Sequence, residues 1–95
     1  MKGFKMQKEI ETLIQTVANN YFTYTDLYPK ITRTEGKKYI RISVNNSAWG
    51  FVVKEDGGKF RKGDILKAAG YSTPAKNFSR GNILDGGYAA SWTGA

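Results

Sequence analysis

A period of two in residues 31–55 constrains the fold of this chain more than any other feature of its sequence. Every second residue on both sides of a polar break is apolar: Ile40, Ile42, Val44, Trp49, Phe51 and Val53. Such alternation is typical of β-strands that bury one face. Glu35-Gly36 and Asn46-Ser47 are the expected tight turns, so the pattern predicts an antiparallel meander.

The alternation also predicts which residues share a face of the sheet. A two-residue loop at Asn46-Ser47 would pair Val44 with Trp49 and bring the apolar residues of both strands onto one face, whereas a loop of one or three residues would mismatch them. Trp49 is then expected to be buried. The polar face would carry one aromatic and four basic side chains: Tyr39, Arg41, Lys54, Lys37 and Lys30.

An amphipathic helix is expected before the sheet. Apolar residues recur at steps of three and four from Met6 to Tyr21, and this stripe would cover the apolar face of the sheet. Asn19-Asn20 is the expected end of the helix, because Asn tolerates the left-handed conformation. The following aromatic connector, up to Pro29, is expected to pack its own rings.

Beyond the meander, Lys59-Phe60-Arg61 is expected to form a short strand and residues 65–68 a fourth strand. Residues from 70 onward have no sustained period but contain large apolar side chains, Trp92 among them, so we expect an irregular packed tail. The predicted fold is α+β, with an N-terminal amphipathic helix packed on an antiparallel β-meander of three to four strands. It forms a single domain over 1–95, divided into a helix (1–22), a sheet (30–69) and an irregular tail (70–95).

The chain contains neither Cys nor His, which excludes thiolate nucleophiles, disulfides, imidazole bases and zinc sites built from these residues. Gly57-Gly58-Lys59 lacks the spacing of a phosphate-binding loop, and the carboxylates do not have the spacing of a calcium loop. A catalytic Ser–Lys pair would need a burial that a sequence does not show. We therefore expect no enzymatic activity, no cofactor and no metal.

Apolar runs in this chain are much shorter than the roughly 18 to 20 residues of a membrane span, and the N-terminus lacks the pattern of a secretory signal. We expect no membrane contact and a protein that stays in the cytoplasm of the cell that makes it.

The net charge of +7 is concentrated in residues 31–82, which hold eleven basic and four acidic side chains. Such a segment attracts polyanions. A tyrosine interleaved with cations, as predicted for the polar face, suits single-stranded nucleic acid, although a merely solvated sheet face is the alternative.

Two further clusters carry positive charge. Lys59, Arg61 and Lys62 lie on the predicted hairpin with Lys67 nearby, and they either bind a polyanion or protect a sheet edge. The other cluster lies in the tail and contains Lys76, Phe78, Arg80 and Asn82. Its alternative is purely structural, with turns shaped by Asn82 and its neighbours and with Phe78 in the core.

Three segments of the second half resemble a signature of small proteins encoded by tailed bacteriophages, of the form GDILKAA…PAK…RGNI. They are Gly63-Asp64-Ile65-Leu66-Lys67-Ala68-Ala69, Thr73-Pro74-Ala75-Lys76 and Arg80-Gly81-Asn82-Ile83. Residues 36–42 and 48–52 also resemble the two preceding strands of that family, so the likeness spans about residues 36–83. Gly70-Tyr71 departs from it, because the family often has Ser-Trp there, and residues 55–62 look longer than the usual turn.

The resemblance implies a phage gene product that acts in the cytoplasm of an infected bacterium. The family has no established activity, so no functional residue is carried over. We expect a small basic accessory protein that is not an enzyme and binds DNA or RNA mainly through phosphates. The alternatives are a protein that binds and inhibits or modulates an acidic host protein, in anti-defence or host takeover, and a minor virion or cargo component.

Overall fold

The computed structural model describes residues 7–76, 79–88 and 94. Its elements are α1 (Gln7–Thr25), β1 (Ile31–Glu35), β2 (Tyr39–Val44), β3 (Ser47–Val53), β4 (Ile65–Lys67), β5 (Gly81–Asn82) and β6 (Gly87–Tyr88). Strands β1 to β4 form one antiparallel sheet in chain order, and β5 pairs with β6. The predicted α+β fold of a helix, a four-stranded meander and an irregular C-terminal region is confirmed. In the described part of the chain, no helix is long and apolar enough to cross a membrane.

Helix α1 packs on one face of the sheet and forms the main core. Its stripe, Ile10, Leu13 and Val17, is fully buried. These side chains contact apolar residues from three strands and the tail, which are Ile40, Ile42, Val44, Trp49, Val52, Ile65 and Ile83. The predicted cover of the sheet by the helix and the predicted burial of Trp49 are confirmed. Met6, Phe78 and Trp92, to which the sequence also assigned positions, lie outside the described residues.

The helix continues past Asn19-Asn20 to Thr25, so its predicted end was wrong. Tyr21 packs against the main core one turn beyond Val17, which favours continuing the helix. The helix ends where Asp26 takes a left-handed conformation, with φ of 61°, and donates its N–H to the carbonyl of Phe22. The ring of Phe22 stacks on Tyr28 at 4.6 Å, as expected for a connector that packs its own rings.

The turn between β2 and β3 lies at Asn45-Asn46, one residue earlier than predicted. Both residues have positive φ, 51° and 71°, as a two-residue hairpin turn of this kind requires. The side chain of Asn45 secures the turn, since it accepts a hydrogen bond from the N–H of Lys30 and donates one to the hydroxyl of Tyr21. The predicted even loop length is correct, but Val44 pairs with Ser47 and not with Trp49.

A β-bulge in β3 changes the predicted faces of the sheet. Ser43 pairs with Ala48 and Ile42 with Gly50, so Trp49 is the extra residue. From there on, the partners of β3 shift by one, and Phe51 lies opposite Arg41. Because side chains alternate, one inserted residue moves all later residues of the strand to the other face. Phe51 and Val53 therefore share a face with Tyr39 and Arg41, against the prediction.

The face predicted to be polar consequently holds a second, smaller core. Phe51, Val53 and Leu66 are buried there, and Tyr39, Phe60 and Ala68 pack around them. The predicted strand at Lys59-Phe60-Arg61 is absent: Gly57 and Phe60 exchange two backbone hydrogen bonds in a tight turn. The fourth strand is confirmed as β4.

The chain after β4 folds back along that strand. The N–H of Ala75 donates to the carbonyl of Lys67, and the N–H of Arg80 donates to that of Ile65. The N–H of Ile83 then donates to the carbonyl of Gly63, just before β4, so the tail packs along the beginning of this strand. The predicted packing of the tail on the domain is confirmed for its described residues.

Candidate nucleic-acid interface

Tyr39 and Arg41 lie two residues apart on β2 and share the face of the smaller core. Tyr39 is half-buried and meets the ring of Phe51 edge to face, with centroids 6.1 Å apart. The guanidinium carbon of Arg41 lies 4.3 Å from the centroid of the Tyr71 ring, and its Nη2 lies 3.4 Å from the hydroxyl of Thr34. Arg41 is thus held by Tyr71 and Thr34, and no carboxylate pairs with it within the described residues.

Lys54 does not join Tyr39 and Arg41 as the sequence predicted. It follows Val53, the partner of Tyr39, so the alternation assigns it to the helix side of the sheet. Its ammonium lies 2.9 Å from the carboxylate of Glu35 and donates to the carbonyl of Gly36 at 3.0 Å. The charge of Lys54 is therefore largely compensated within the protein.

Lys37 and Lys38 form the tip of the turn between β1 and β2. This turn is closed by the N–H of Gly36, which donates to the carbonyl of Tyr39 at 2.8 Å. Both lysines are exposed. Within the described part of the chain, neither ammonium makes an ion pair or hydrogen bond, so both charges are available to an anionic ligand.

The three basic residues of the predicted hairpin do not form one cluster around a common partner. The ammonium of Lys59 donates to the carbonyl of Lys76 at 3.2 Å and lies 5.7 Å from the ring of Phe60. Arg61 lies 3.7 Å from Asp64 and 3.9 Å from Asp85. Lys62 is half-buried, and its backbone N–H donates a hydrogen bond to the carboxylate of Asp56. Lys59 thus faces the tail, whereas Arg61 is engaged by two carboxylates.

The two tail cations also separate. The ammonium of Lys76 lies 5.9 Å from the centroid of the Tyr39 ring, which brings this residue to the face that carries Arg41. Arg80 is exposed and lies along the outer edge of β4, where its backbone N–H donates a hydrogen bond to the carbonyl of Ile65. Asn82 is buried and structural, as the alternative for this cluster proposed.

Two cavities flank residues 37–39, which we call the basic ridge. The loop-side cavity, about 380 Å³, lies between the ridge and residues 53–60, and Lys54, Glu55 and Asp56 contribute to its lining. The strand-side cavity, about 360 Å³, is lined by the ridge and by Thr34, Gly36, Arg41, Phe51 and Ser72. No carboxylate is among the described residues that line the strand-side cavity, while three cations are, so this cavity is the more favourable place for an anion.

Sequence reasoning missed two residues of this surface. Lys38 was passed over because alternation placed only Lys37 on the polar face, although both belong to a turn where alternation does not apply. Tyr71 lies in a segment without period, and the turn between Ala68 and its bridge partner Pro74 brings it over Arg41. The adjacent basic pair was a usable signal for Lys38, whereas no local pattern indicated Tyr71.

Among the described residues, no cluster of three or more acidic side chains is placed to hold a metal ion. Comparisons of the chain with models of protein families, with curated proteins and with solved structures found no match. The resemblance to small phage proteins therefore stays a prediction.

Proposed function

We propose that this protein binds nucleic acid, mainly through the phosphate backbone, with the basic ridge and the strand-side cavity as the contact surface. The observation that carries the proposal is the pair Lys37 and Lys38: two exposed ammonium groups without a partner in the described chain, next to a cavity that Arg41 also lines. Lys76 adds a further cation beside Tyr39.

Counterion release would provide most of the free energy of such binding. Each phosphate that a Lys or Arg neutralises releases condensed counterions, so the logarithm of the association constant falls with the logarithm of the salt concentration. The slope is about −0.9 per phosphate contact for duplex DNA and about −0.7 for a single strand. Cations already paired with carboxylates, such as Lys54 with Glu35, contribute less to such binding. The unpaired cations of the ridge are therefore the ones that the salt dependence should report.

The test is a titration of fluorescein-labelled 20-mers of single-stranded DNA, duplex DNA and RNA by anisotropy, at several salt concentrations between about 25 and 200 mM. The double variant Lys37→Ala/Lys38→Ala should bind more weakly, and its slope for single strands should be less negative by about 1.4, two contacts of about 0.7 each. Lys8→Ala/Lys30→Ala is the matched control, since it removes the same charge from two exposed positions outside this surface.

Absence of binding at the lowest salt, or equal slopes for the two double variants, would refute the proposal. A pull-down from nuclease-treated bacterial lysate completes the test. If the protein binds no nucleic acid but recovers one stoichiometric acidic protein through the same lysines, the proposed function is wrong, and binding of a host protein replaces it. As part of the proposal, the resemblance to phage proteins suggests that this binding takes place in an infected bacterium.

A further inference from the structure

The ring of Tyr71 is an exposed aromatic surface with a rigid support. Tyr71 is 55% exposed although the guanidinium of Arg41 lies 4.3 Å from its ring centroid. One face of the ring is therefore covered, and the exposed area falls on the opposite face and the edge. Arg41 itself is half-buried on β2, so the support belongs to the central part of the sheet.

A tight turn fixes the backbone on both sides of Tyr71. The N–H groups of Ala69 and Gly70 both donate to the carbonyl of Thr73, at 2.8 and 3.0 Å. Ala68 pairs with Pro74, which is buried. The ring is thus held in place before any ligand arrives, which lowers the entropic cost of binding.

Tyr71 lies close to the strand-side cavity and the basic ridge. Arg41 lies beneath the ring and also lines the strand-side cavity, and Ser72, the next residue of the turn, lines the same cavity. The basic ridge forms the other side of this cavity. A strand whose phosphates lie along Lys37 and Lys38 would consequently bring its bases toward Tyr71.

We propose that Tyr71, supported by Arg41, is a stacking platform for a base, so that the protein prefers single-stranded to double-stranded nucleic acid. The inference rests on the proposed function and deepens it. In a duplex the bases are paired and stacked on each other, whereas an unpaired base has a free face for an aromatic ring. The hydroxyl of Tyr71 has no part in this contact, and the positive charge of Arg41 adds to the attraction for the phosphates.

The experiment compares Tyr71→Leu with Tyr71→Phe on a single-stranded 20-mer and on the duplex of the same sequence. Tyr71→Leu should weaken single-strand binding by about 5- to 150-fold, the loss that corresponds to one stacked base. Its salt slope and its duplex affinity should not change, because no charge is removed. Tyr71→Phe should bind within about twofold of the unaltered protein. Tyr24→Leu is the control, since Tyr24 is 72% exposed on α1, the helix that covers the other face of the sheet.

A second arm uses an oligonucleotide with abasic sites, which keeps the phosphates and lacks the bases. The unaltered protein should lose about the same factor on this ligand as Tyr71→Leu loses on the normal strand, and Tyr71→Leu should lose nothing more. Additive losses would overturn the inference, as would equal losses of Tyr71→Leu on single strand and duplex, or a loss no larger than that of Tyr24→Leu.

These outcomes separate the inference from the proposed function. If the unaltered protein binds no nucleic acid at all, the proposed function fails. If it binds with the expected salt slope but Tyr71→Leu does not discriminate between strands, only the stacking inference fails. Circular dichroism of each variant is the control for an intact fold.

Discussion

Substitution of Asn82 should strongly destabilise this protein, because its side chain is buried and joins three segments of the fold. Asn82 is 4% exposed, and its side chain makes three hydrogen bonds. The amide nitrogen donates to the carbonyl of Lys62 and to the carboxylate of Asp64, both at 2.9 Å. The amide oxygen accepts the N–H of Leu84 at 2.7 Å. One residue thus connects the loop before β4, the start of β4 and the tail.

The magnitude follows from these contacts. A buried hydrogen bond between neutral groups contributes about 1 kcal/mol, and one to a charged group about 1.5 to 3 kcal/mol. Asn82→Ala removes two of the first kind and one of the second, and it leaves an oxygen of the buried Asp64 without its closest donor. We expect a loss of about 3 to 5 kcal/mol, which is a large part of the roughly 5 to 15 kcal/mol that stabilise a domain.

The assay is urea unfolding at neutral pH, followed by circular dichroism and by the fluorescence of the buried Trp49. With a slope of about 1 to 3 kcal/mol/M, the midpoint should fall by at least about 1 M. Asn19→Ala is the matched control: Asn19 is exposed on α1, where its side chain bonds only Gln15 among the described side-chain contacts, and its loss should change stability by less than about 0.5 kcal/mol. Should Asn82→Ala not fold, Asp64→Asn serves as the second variant. It keeps the shape but turns one of the two accepting oxygens into an NH2 group, so the hydrogen bond from either the Arg61 N–H or the Asn82 amide is lost, at about 1.5 to 3 kcal/mol.

Two results would refute this reasoning. One is a loss for Asn82→Ala no larger than that for Asn19→Ala. The other comes from a double-mutant cycle with Asp64→Ala, in which residues in direct contact should show a coupling energy of at least about 1 kcal/mol. Additive losses would mean that the buried pair does not act as a unit.

The same unfolding assay checks three further predictions. Gly63→Ala should lower the free energy of unfolding by more than about 2 kcal/mol, because φ is 90° and an added Cβ would lie 2.8 Å from the side-chain oxygen of Asn82. Gly58→Ala, with φ of 54° and open space around the added Cβ, should lower it by about 1 kcal/mol. Equal losses would contradict the close approach at Gly63. Val52→Ala and Val53→Ala should each lower the free energy of unfolding by about 2 kcal/mol, since Val52 is buried in the main core and Val53 in the smaller core on the other face of the sheet. A neutral result at either position would argue against two cores. Asn45→Ala should lower the free energy of unfolding by about 2 kcal/mol, because it strains the positive φ and removes the side-chain hydrogen bonds. Asn45→Gly should lower it by less, because Gly accepts the positive φ and only the hydrogen bonds are lost. The reverse order would contradict the turn geometry.

The sequence predicted the helix and the four strands of the sheet as elements, because their apolar residues recur at the spacing typical of each. The helical stripe from Ile10 to Val17 and the meander of β1 to β4 follow directly from steps of three or four and of two residues. The predicted end of the helix at Asn19-Asn20 was wrong, since the packing of Tyr21 on the core outweighs the tendency of Asn to end a helix. Propensity is local, and this contact is not.

The faces of the sheet were mispredicted for a different reason. In β3, all residues from Trp49 to Val53 except Gly50 are apolar, so alternation alone does not show which of them face the helix. A bulge at Trp49 resolves this ambiguity by burying Trp49 and Val52 on one side and Phe51 and Val53 on the other. A sequence pattern that is apolar on both faces carries no signal for a bulge.

The candidate surface was predicted in part. Tyr39 and Arg41 share a face because both lie on one strand, where alternation is reliable. The approach of Lys76 to Tyr39 and of Tyr71 to Arg41 depends on how the tail folds back, which only tertiary hydrogen bonds determine. The charge of residues 31–82 therefore motivates the proposed ligand, whereas the local sequence pattern identified only part of the candidate surface.

The residues that resemble the phage signature have a structural explanation in this fold. Gly63 allows the amide of Asn82 to approach, and Asp64 accepts a hydrogen bond from that amide and one from the N–H of Arg61. The pattern GD…RGN thus describes a buried contact between the start of β4 and the returning tail. A chain that shares Gly63, Asp64 and Asn82 of this pattern is expected to share the local fold, because these three residues are required by close packing or by buried hydrogen bonds. The binding that we propose for this protein would depend on other residues: the exposed lysines of the basic ridge and Tyr71, which stands where this chain departs from the signature.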